Sequence, residues 1–123
     1  TSLFEWVRNQ PEGSAINGYS DHYWNGVTST GFARICRGLI ESNGFAPGTH
    51  HLVPSDSMTK CDLVTSIADK IGRKDIKIIE GPSGHKVNRT LATINESLNA
   101  QFWENAGYST IPSISELVAE IEL

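Results

Sequence analysis

Apolar residues recur along this chain in two rhythms, and the alternation between them sets out its elements. Phe32, Ile35, Cys36, Leu39 and Ile40 fall at three- and four-residue intervals, the spacing that gathers side chains on one face of a helix. A helix is therefore predicted from Thr28, with Thr28 as its cap, to a left-handed stop at Asn43-Gly44. Leu63, Val64, Ile67, Ala68 and Ile71 form a second stripe, closed by Gly72, for which Ser55-Asp56-Ser57 offer caps. A short helix is expected at residues 3–7, capped by Ser2 and ended before Pro11. Another should carry Leu98, Phe102 and Trp103 behind a cap at Thr93 or Asn95. A last one opens at Pro112-Ser113, with Ile114, Leu117, Val118 and Ile121 facing one way. Between them, residues 15–19, 49–53 (before Pro54) and 76–79 read as strands. Asn17-Gly18 signals a bend, and Gly81-Pro82-Ser83-Gly84 is the expected mobile loop.

Strands and amphipathic helices alternate, which places the chain in the α/β class. The expectation is a small mixed sheet of about three short strands with four to five amphipathic helices, in a single domain over residues 1–123 without internal repeats. Charge narrows the partners. Fourteen acids against ten Lys and Arg leave a formal charge of −4, which argues against a general nucleic-acid binder, since affinity for phosphate backbones rests on clustered cations. The nearest basic run, Arg73-Lys74-Asp75-Ile76-Lys77, is short and interrupted and reads as a solvated turn. No apolar run approaches the ~20 residues that span a bilayer, and no signal peptide opens the chain, so no membrane partner is expected. Cys36 and Cys61 stand among apolar neighbours in helical patterns, as free thiols of a reducing cytoplasm would.

Most catalytic signatures are missing. No Gly-rich strand-to-helix turn of the dinucleotide-binding kind occurs, and no phosphate loop. None of Tyr19, Tyr23 and Tyr108 has a Lys four places on, the pair with which many reductases protonate a carbonyl. His50 and His51 are adjacent, so on a strand they point to opposite faces. His22, His85, Cys36 and Cys61 show no chelating spacing, and no metal site is expected. Serines are plentiful, but no nucleophile elbow surrounds one, and no catalytic residue is assigned.

Two places survive. His22-Tyr23-Trp24-Asn25-Gly26-Val27-Thr28 offers flat aromatic surface with polar handles, suited to stacking on a base or sugar, and Asn25 adds donors and an acceptor. The same aromatics could instead fix the entry angle of the following helix; the residues alone leave both readings open. Asn88-Arg89-Thr90 follows the flexible loop, and the forked donors of Arg89 match two oxygens of a diphosphate or else serve a surface ion pair. Lys60 reads as a solvated residue in the first turn of its helix.

Taken in order, these segments resemble the dTDP-4-dehydrorhamnose reductase-like family, extended short-chain dehydrogenases that act on sugar nucleotides. Gly18, followed by residues 22–28 and an amphipathic helix, is similar to the element that leads into the helix beside that family's substrate lobe. Gly48-Thr49-His50-His51-Leu52-Val53 and then Ser57-Met58-Thr59-Lys60 resemble its next strand and helix start. Asn88-Arg89-Thr90-Leu91-Ala92-Thr93 and Ile111-Pro112-Ser113-Ile114-Ser115-Glu116-Leu117 are similar to its closing motifs. Thr90 stands where many members have Pro, and Asn88 where a small or acidic residue is commoner.

The resemblance runs over nearly the whole chain and covers the C-terminal part of a complete family member. It implies the C-terminal lobe of an NAD(P)-binding, Rossmann-type extended short-chain dehydrogenase. The N-terminal Rossmann domain, its NAD(P)H and its Tyr-Lys pair would lie outside these residues, in keeping with Thr1 in place of an initiator Met. It further implies a cytoplasmic sugar-nucleotide-binding domain, inactive alone, whose ligand is a dTDP- or UDP-sugar. Arg89 would face the diphosphate, with Trp24, Asn25 and His22 near the sugar. The alternative is a non-catalytic binding or regulatory relative of that family; a third reading is an unrelated small α/β domain with similar turns.

Overall fold

The computed structural model describes residues 2–123, in which five helices and five short strands alternate. Their order is α1 (Leu3–Arg8), β1 (Ala15–Tyr19), β2 (His22–Trp24), α2 (Ser29–Ser42), β3 (Met58–Thr59), α3 (Lys60–Lys70), β4 (Lys77–Gly81), β5 (Val87–Arg89), α4 (Glu96–Asn105) and α5 (Ile114–Ala119). The chain is thus α/β with small sheets. It divides into two compact units, each assembled from separate stretches: residues 2–24, 58–89 and 123 form the first, and residues 25–57 and 90–122 the second.

All five strands belong to the first unit, in a two-stranded and a three-stranded sheet where a single sheet of about three strands was expected. β1 pairs parallel with β4 from Ala15↔Lys77 to Tyr19↔Gly81. β2 pairs parallel with β5 from His22↔Val87 to Trp24↔Arg89, and antiparallel with β3 on its other side. The two parallel pairs are one ribbon interrupted once, where Ser20 and Asp21 on one side face the longer stretch 82–86 on the other.

Ile16, Cys61, Val64, Ile67, Ala68 and Ile76 are buried in this unit, with α3 lying against β1 and β4. Gly18 has no room for a side chain, because a Cβ there would stand 2.8 Å from both Cys61 Sγ and Ile78 Cγ2. Asn17-Gly18 therefore marks a close helix-on-strand approach inside β1, not the bend expected of it. Cys61 is a free thiol, which burial, with help from Glu80 and Asp62, pushes above the usual range.

Two further expectations shift in this unit. α3 is capped by Thr59, whose Oγ1 accepts the Asp62 N–H at 3.1 Å, and not by Ser55-Asp56-Ser57. Met58 and Thr59 are held extended against β2, so the helix starts only where that pairing ends. Arg73 is also no idle turn residue. Its guanidinium donates to the backbone carbonyls of Arg8, Gln10 and Pro11 and pairs with Asp75 at 2.8 Å, fastening the exit of α1. That pairing, with the Gly13 N–H, holds the Asp75 carboxyl well below the usual carboxylate range.

The second unit is helical and is built around Ile35, Phe102, Trp103 and Leu117. The predicted period of α2 holds, as do its Thr28 cap and its left-handed Asn43; of the predicted stripe Ile35 and Leu39 pack inward, but the face is turned toward two glycines. Gly31, Ile35 and Gly38 are buried, while Phe32 is 52% and Ile40 is 70% exposed. Asn95 caps α4, and a reciprocal Ser113–Glu116 box starts α5, where the Ile114 N–H also finds Asp56 Oδ1 at 2.9 Å.

No strand forms at residues 49–53. Val53 instead exchanges both its backbone groups with one side chain: its N–H donates to Asn99 Oδ1, and its carbonyl accepts from Asn99 Nδ2, both at 3.0 Å. Asn25 does the same for Leu91, at 2.7 Å in each direction. A carboxamide carries the same donor and acceptor as a peptide group, so each Asn stands in for a neighbouring strand. These two are the buried polar residues of the described chain. Asn99→Ala is expected to destabilise the fold by about 1.5–2 kcal/mol, and Asn99→Asp, which cannot donate to the Val53 carbonyl, should not restore it. Urea unfolding measures this; a midpoint unchanged from wild type would refute the role.

Candidate functional site

The parallel ribbon of the first unit builds the strongest candidate. In-register partners on neighbouring strands project to the same face, as do residues two apart on one strand. Met58, Trp24 and Arg89 therefore form one row across β3, β2 and β5, with His22 and Val87 in the next row on the same face. All are half-buried except Arg89, which is exposed. Three of the four residues singled out from sequence, His22, Trp24 and Arg89, are thus brought together, although 65 positions separate the partners Trp24 and Arg89. Thr59, Tyr23 and Asn88 take the opposite face, where the Lys86 ammonium lies 5.6 Å from the centre of the Tyr23 ring.

Asn25, the fourth residue, belongs to the second unit. Its amide is committed to both backbone groups of Leu91, so its demonstrable role is to hold that segment.

The interruption in the ribbon is a latch. The Ser83 N–H donates to both Asp21 carboxylate oxygens at 3.0 Å, and the Ser83 hydroxyl lies 3.1 Å from Asp21 Oδ2, 2.8 Å from the His85 carbonyl and 2.9 Å from His22 Nε2. The loop expected to be mobile is tied at its centre. Burial works against the Asp21 charge, but the Ser83 amide and hydroxyl outweigh it and lower its pKa below the ordinary carboxylate value.

Ser, His and Asp meeting in this way invite comparison with a hydrolytic triad, and the proton count decides against it. The single Ser83 hydroxyl proton has the His85 carbonyl and the Asp21 carboxylate as acceptors, so His22 Nε2 fits best as a donor to Oγ. In a triad the imidazole accepts from the serine, and the carboxylate orients its far nitrogen. Here the carboxylate sits on the serine side, 4.0 Å from the same Nε2. Ser83 is a structural hub that aims the His22 ring.

His22 stacks on Tyr19, with ring centroids 4.9 Å apart and planes tilted by 45°. The Lys60 ammonium lies 5.2 Å from the Tyr19 ring centre and 5.8 Å from that of Trp6. Sequence reasoning took Lys60 for a solvated first-turn residue and gave no site role to Tyr19 or the Asp21–Ser83 latch. For Lys60 the only available signal was Thr59, whose capping fixes where the first helical turn begins.

Charge is divided unevenly between the units. The first holds eight of the ten Lys and Arg with seven of the fourteen acids; the second holds two with seven. An anion is thus better served by the first unit. The second contains an open cleft of about 350 Å³ lined by Tyr108, Thr110, Glu116 and Glu120 among others. There the Tyr108 hydroxyl donates to Glu120 Oε2 at 2.7 Å, and burial together with that carboxylate pushes its pKa up to about 12.

His50 and His51, predicted to diverge, bond separately to the Pro47 and Ala92 carbonyls. Among the described residues, no three or more of His, Cys, Asp and Glu gather as a metal site requires. No helix there is long and apolar enough to cross a membrane. No family model matches the chain, and no curated protein matches it.

Proposed function

We propose that this chain is the sugar-nucleotide-binding, C-terminal lobe of a cytoplasmic NAD(P)-dependent oxidoreductase of the dTDP-4-dehydrorhamnose reductase kind, a Rossmann-type extended short-chain dehydrogenase. One observation carries the reading: Arg89 and Trp24 are register partners with His22 beside them on the same face, in the unit richer in cations. A guanidinium next to an indole suits a diphosphate joined to a flat base or sugar, the first through forked charge-assisted hydrogen bonds and the second through stacking.

The dinucleotide is not assigned to these residues. β1 runs through Ser20-Asp21 into β2, and β4 runs through the latch into β5, so neither of these strands feeds a helix through a Gly-rich turn. NAD(P)H enters the proposal only as the cargo of a Rossmann domain in the same protein. The task of the residues described is to position: holding a sugar in one orientation raises its effective concentration at a reacting centre.

Titration with UDP-glucose and dTDP-glucose, followed by NMR shifts at Arg89 and Trp24, tests the reading. Arg89→Ala is expected to weaken binding by about 1.5 kcal/mol, roughly tenfold, as the loss of a charge-assisted contact does. Binding that ignores the Arg89 substitution removes it from the site; no binding of either sugar nucleotide overturns the reading.

A further inference from the structure

We propose that Lys60, with the Tyr19 and Trp6 rings that carry it, receives a second anionic group of the same ligand, so that the site selects nucleotide sugars bearing a carboxylate on the glycosyl ring. The inference rests on the sugar-nucleotide reading above and extends it to a substrate class.

Lys60 is a cation with two rings beside it. Its ammonium lies over Tyr19 and Trp6, and no carboxylate pairs with it among the described residues. Two other cations of this unit are neutralised, Arg8 by Glu5 at 3.0 Å and Arg73 by Asp75 at 2.8 Å. The nearest acid along its helix, Asp62, is held at the cap by the Thr59 hydroxyl at 2.9 Å. A ring face attracts an ammonium but leaves its charge in place, and an incoming carboxylate forms the stronger charge-assisted bond.

A row of neighbouring side chains leads from Lys60 to the proposed site. The Lys60 ammonium lies 5.2 Å from the Tyr19 ring centre, the Tyr19 and His22 rings are 4.9 Å apart and tilted by 45°, and His22 stands on the face of Trp24 and Arg89, about 6–7 Å along the strand. A cation at each end with aromatic surface between matches a diphosphate at Arg89, a sugar ring over the aromatic surface, and a carboxylate at Lys60. The Ser83 hydroxyl, 2.9 Å from His22 Nε2, holds the His22 ring in place between the two cations.

Calorimetric titration of the 123-residue chain with UDP-glucuronate and UDP-glucose tests this, because the two probes differ at the carboxylate. UDP-glucuronate should bind about fivefold tighter at low salt, the size of one partly exposed ion pair, with a smaller gap at high salt. Lys60→Gln should erase that preference while leaving the UDP-glucose affinity in place, with far-UV circular dichroism confirming the fold. Equal affinities that both fall with Arg89→Ala would overturn the role of Lys60 and leave the Arg89 site standing. A preference that survives Lys60→Gln would also overturn it. Failure of both probes to bind would remove the underlying reading and this inference together.

Discussion

Trp103→Ala is expected to cost the fold about 3–5 kcal/mol, the range for removing a fully buried large aromatic. Trp103 is the largest side chain in the molecule with no exposure. It stands at the centre of the second unit, meets the Tyr108 ring edge-on at 5.2 Å, and donates its indole N–H to the Val53 carbonyl at 3.0 Å. Alanine would leave a cavity bounded by Ile35, Phe102 and Leu117 on three different helices, which cannot all collapse into it. Domains of this size are stable by only about 5–15 kcal/mol, so a large part of that margin would go. Trp103→Phe separates the two contributions: it keeps most of the ring and loses the hydrogen bond, but the Val53 carbonyl retains Asn99 as donor. It should therefore cost clearly less. Urea denaturation of the pair decides; alanine as mild as phenylalanine would mean that Trp103 is not the packing centre.

Helix periods were legible because they depend only on spacing. The four longer patterns lie where three- and four-residue recurrence put them, α1 lies where Ser2 and Pro11 bounded it, and the caps at Ser2, Thr28 and Asn95 hold. β1 was legible to the residue for the same kind of reason. The strand expected at residues 49–53 does not form, and at Val53 the side chain of Asn99, 46 positions away, takes the two hydrogen bonds that a neighbouring strand would. The sequence signal for extended backbone is local, whereas pairing is not. β2 and β5, at three residues each, are too short to show alternation, and they exist as strands because each supplies the other's register.

That same pairing made the candidate site only half legible. Aromatic character at residues 23 and 24 and the isolated Arg89 could be read from residue type, and both stood out. What placed Trp24 beside Arg89 is a parallel register offset by the extra residues of 82–86, and the Asp21–Ser83 latch that accommodates them spans 62 positions. Nothing in local composition encodes either. Asn25 illustrates the converse. Its amide was read toward a ligand, and the structure buries it and commits it to both backbone groups of Leu91 at 2.7 Å.

The inward face of α2 was only partly legible, at Ile35 and Leu39, because counting apolar residues ignores glycine, and the buried glycines define a test. Gly38→Ala should destabilise the fold by about 3 kcal/mol, against a helix-propensity gain of about 1 kcal/mol that by itself would stabilise it. A Cβ at position 38 would stand 2.5 Å from the Asn105 carbonyl oxygen, 2.7 Å from its carbon and 2.8 Å from the Ala106 nitrogen. These are backbone atoms at the end of α4, and no rotamer change moves them aside. Gly31→Ala, on the same helix face with the same propensity gain, is the control. There the Cβ would meet Leu117 Cδ2 at 2.9 Å and Thr28 Oγ1 at 3.2 Å, both side-chain atoms, and a leucine methyl can swing away. Gly31→Ala should accordingly cost about 1 kcal/mol or less, the remainder after its propensity gain offsets a small repacking cost. Thermal and urea unfolding of the two variants rank the effects. If Gly38→Ala matched or exceeded wild-type stability, α2 and α4 would not approach through that glycine, and the exposure of Phe32 and Ile40 would need another cause.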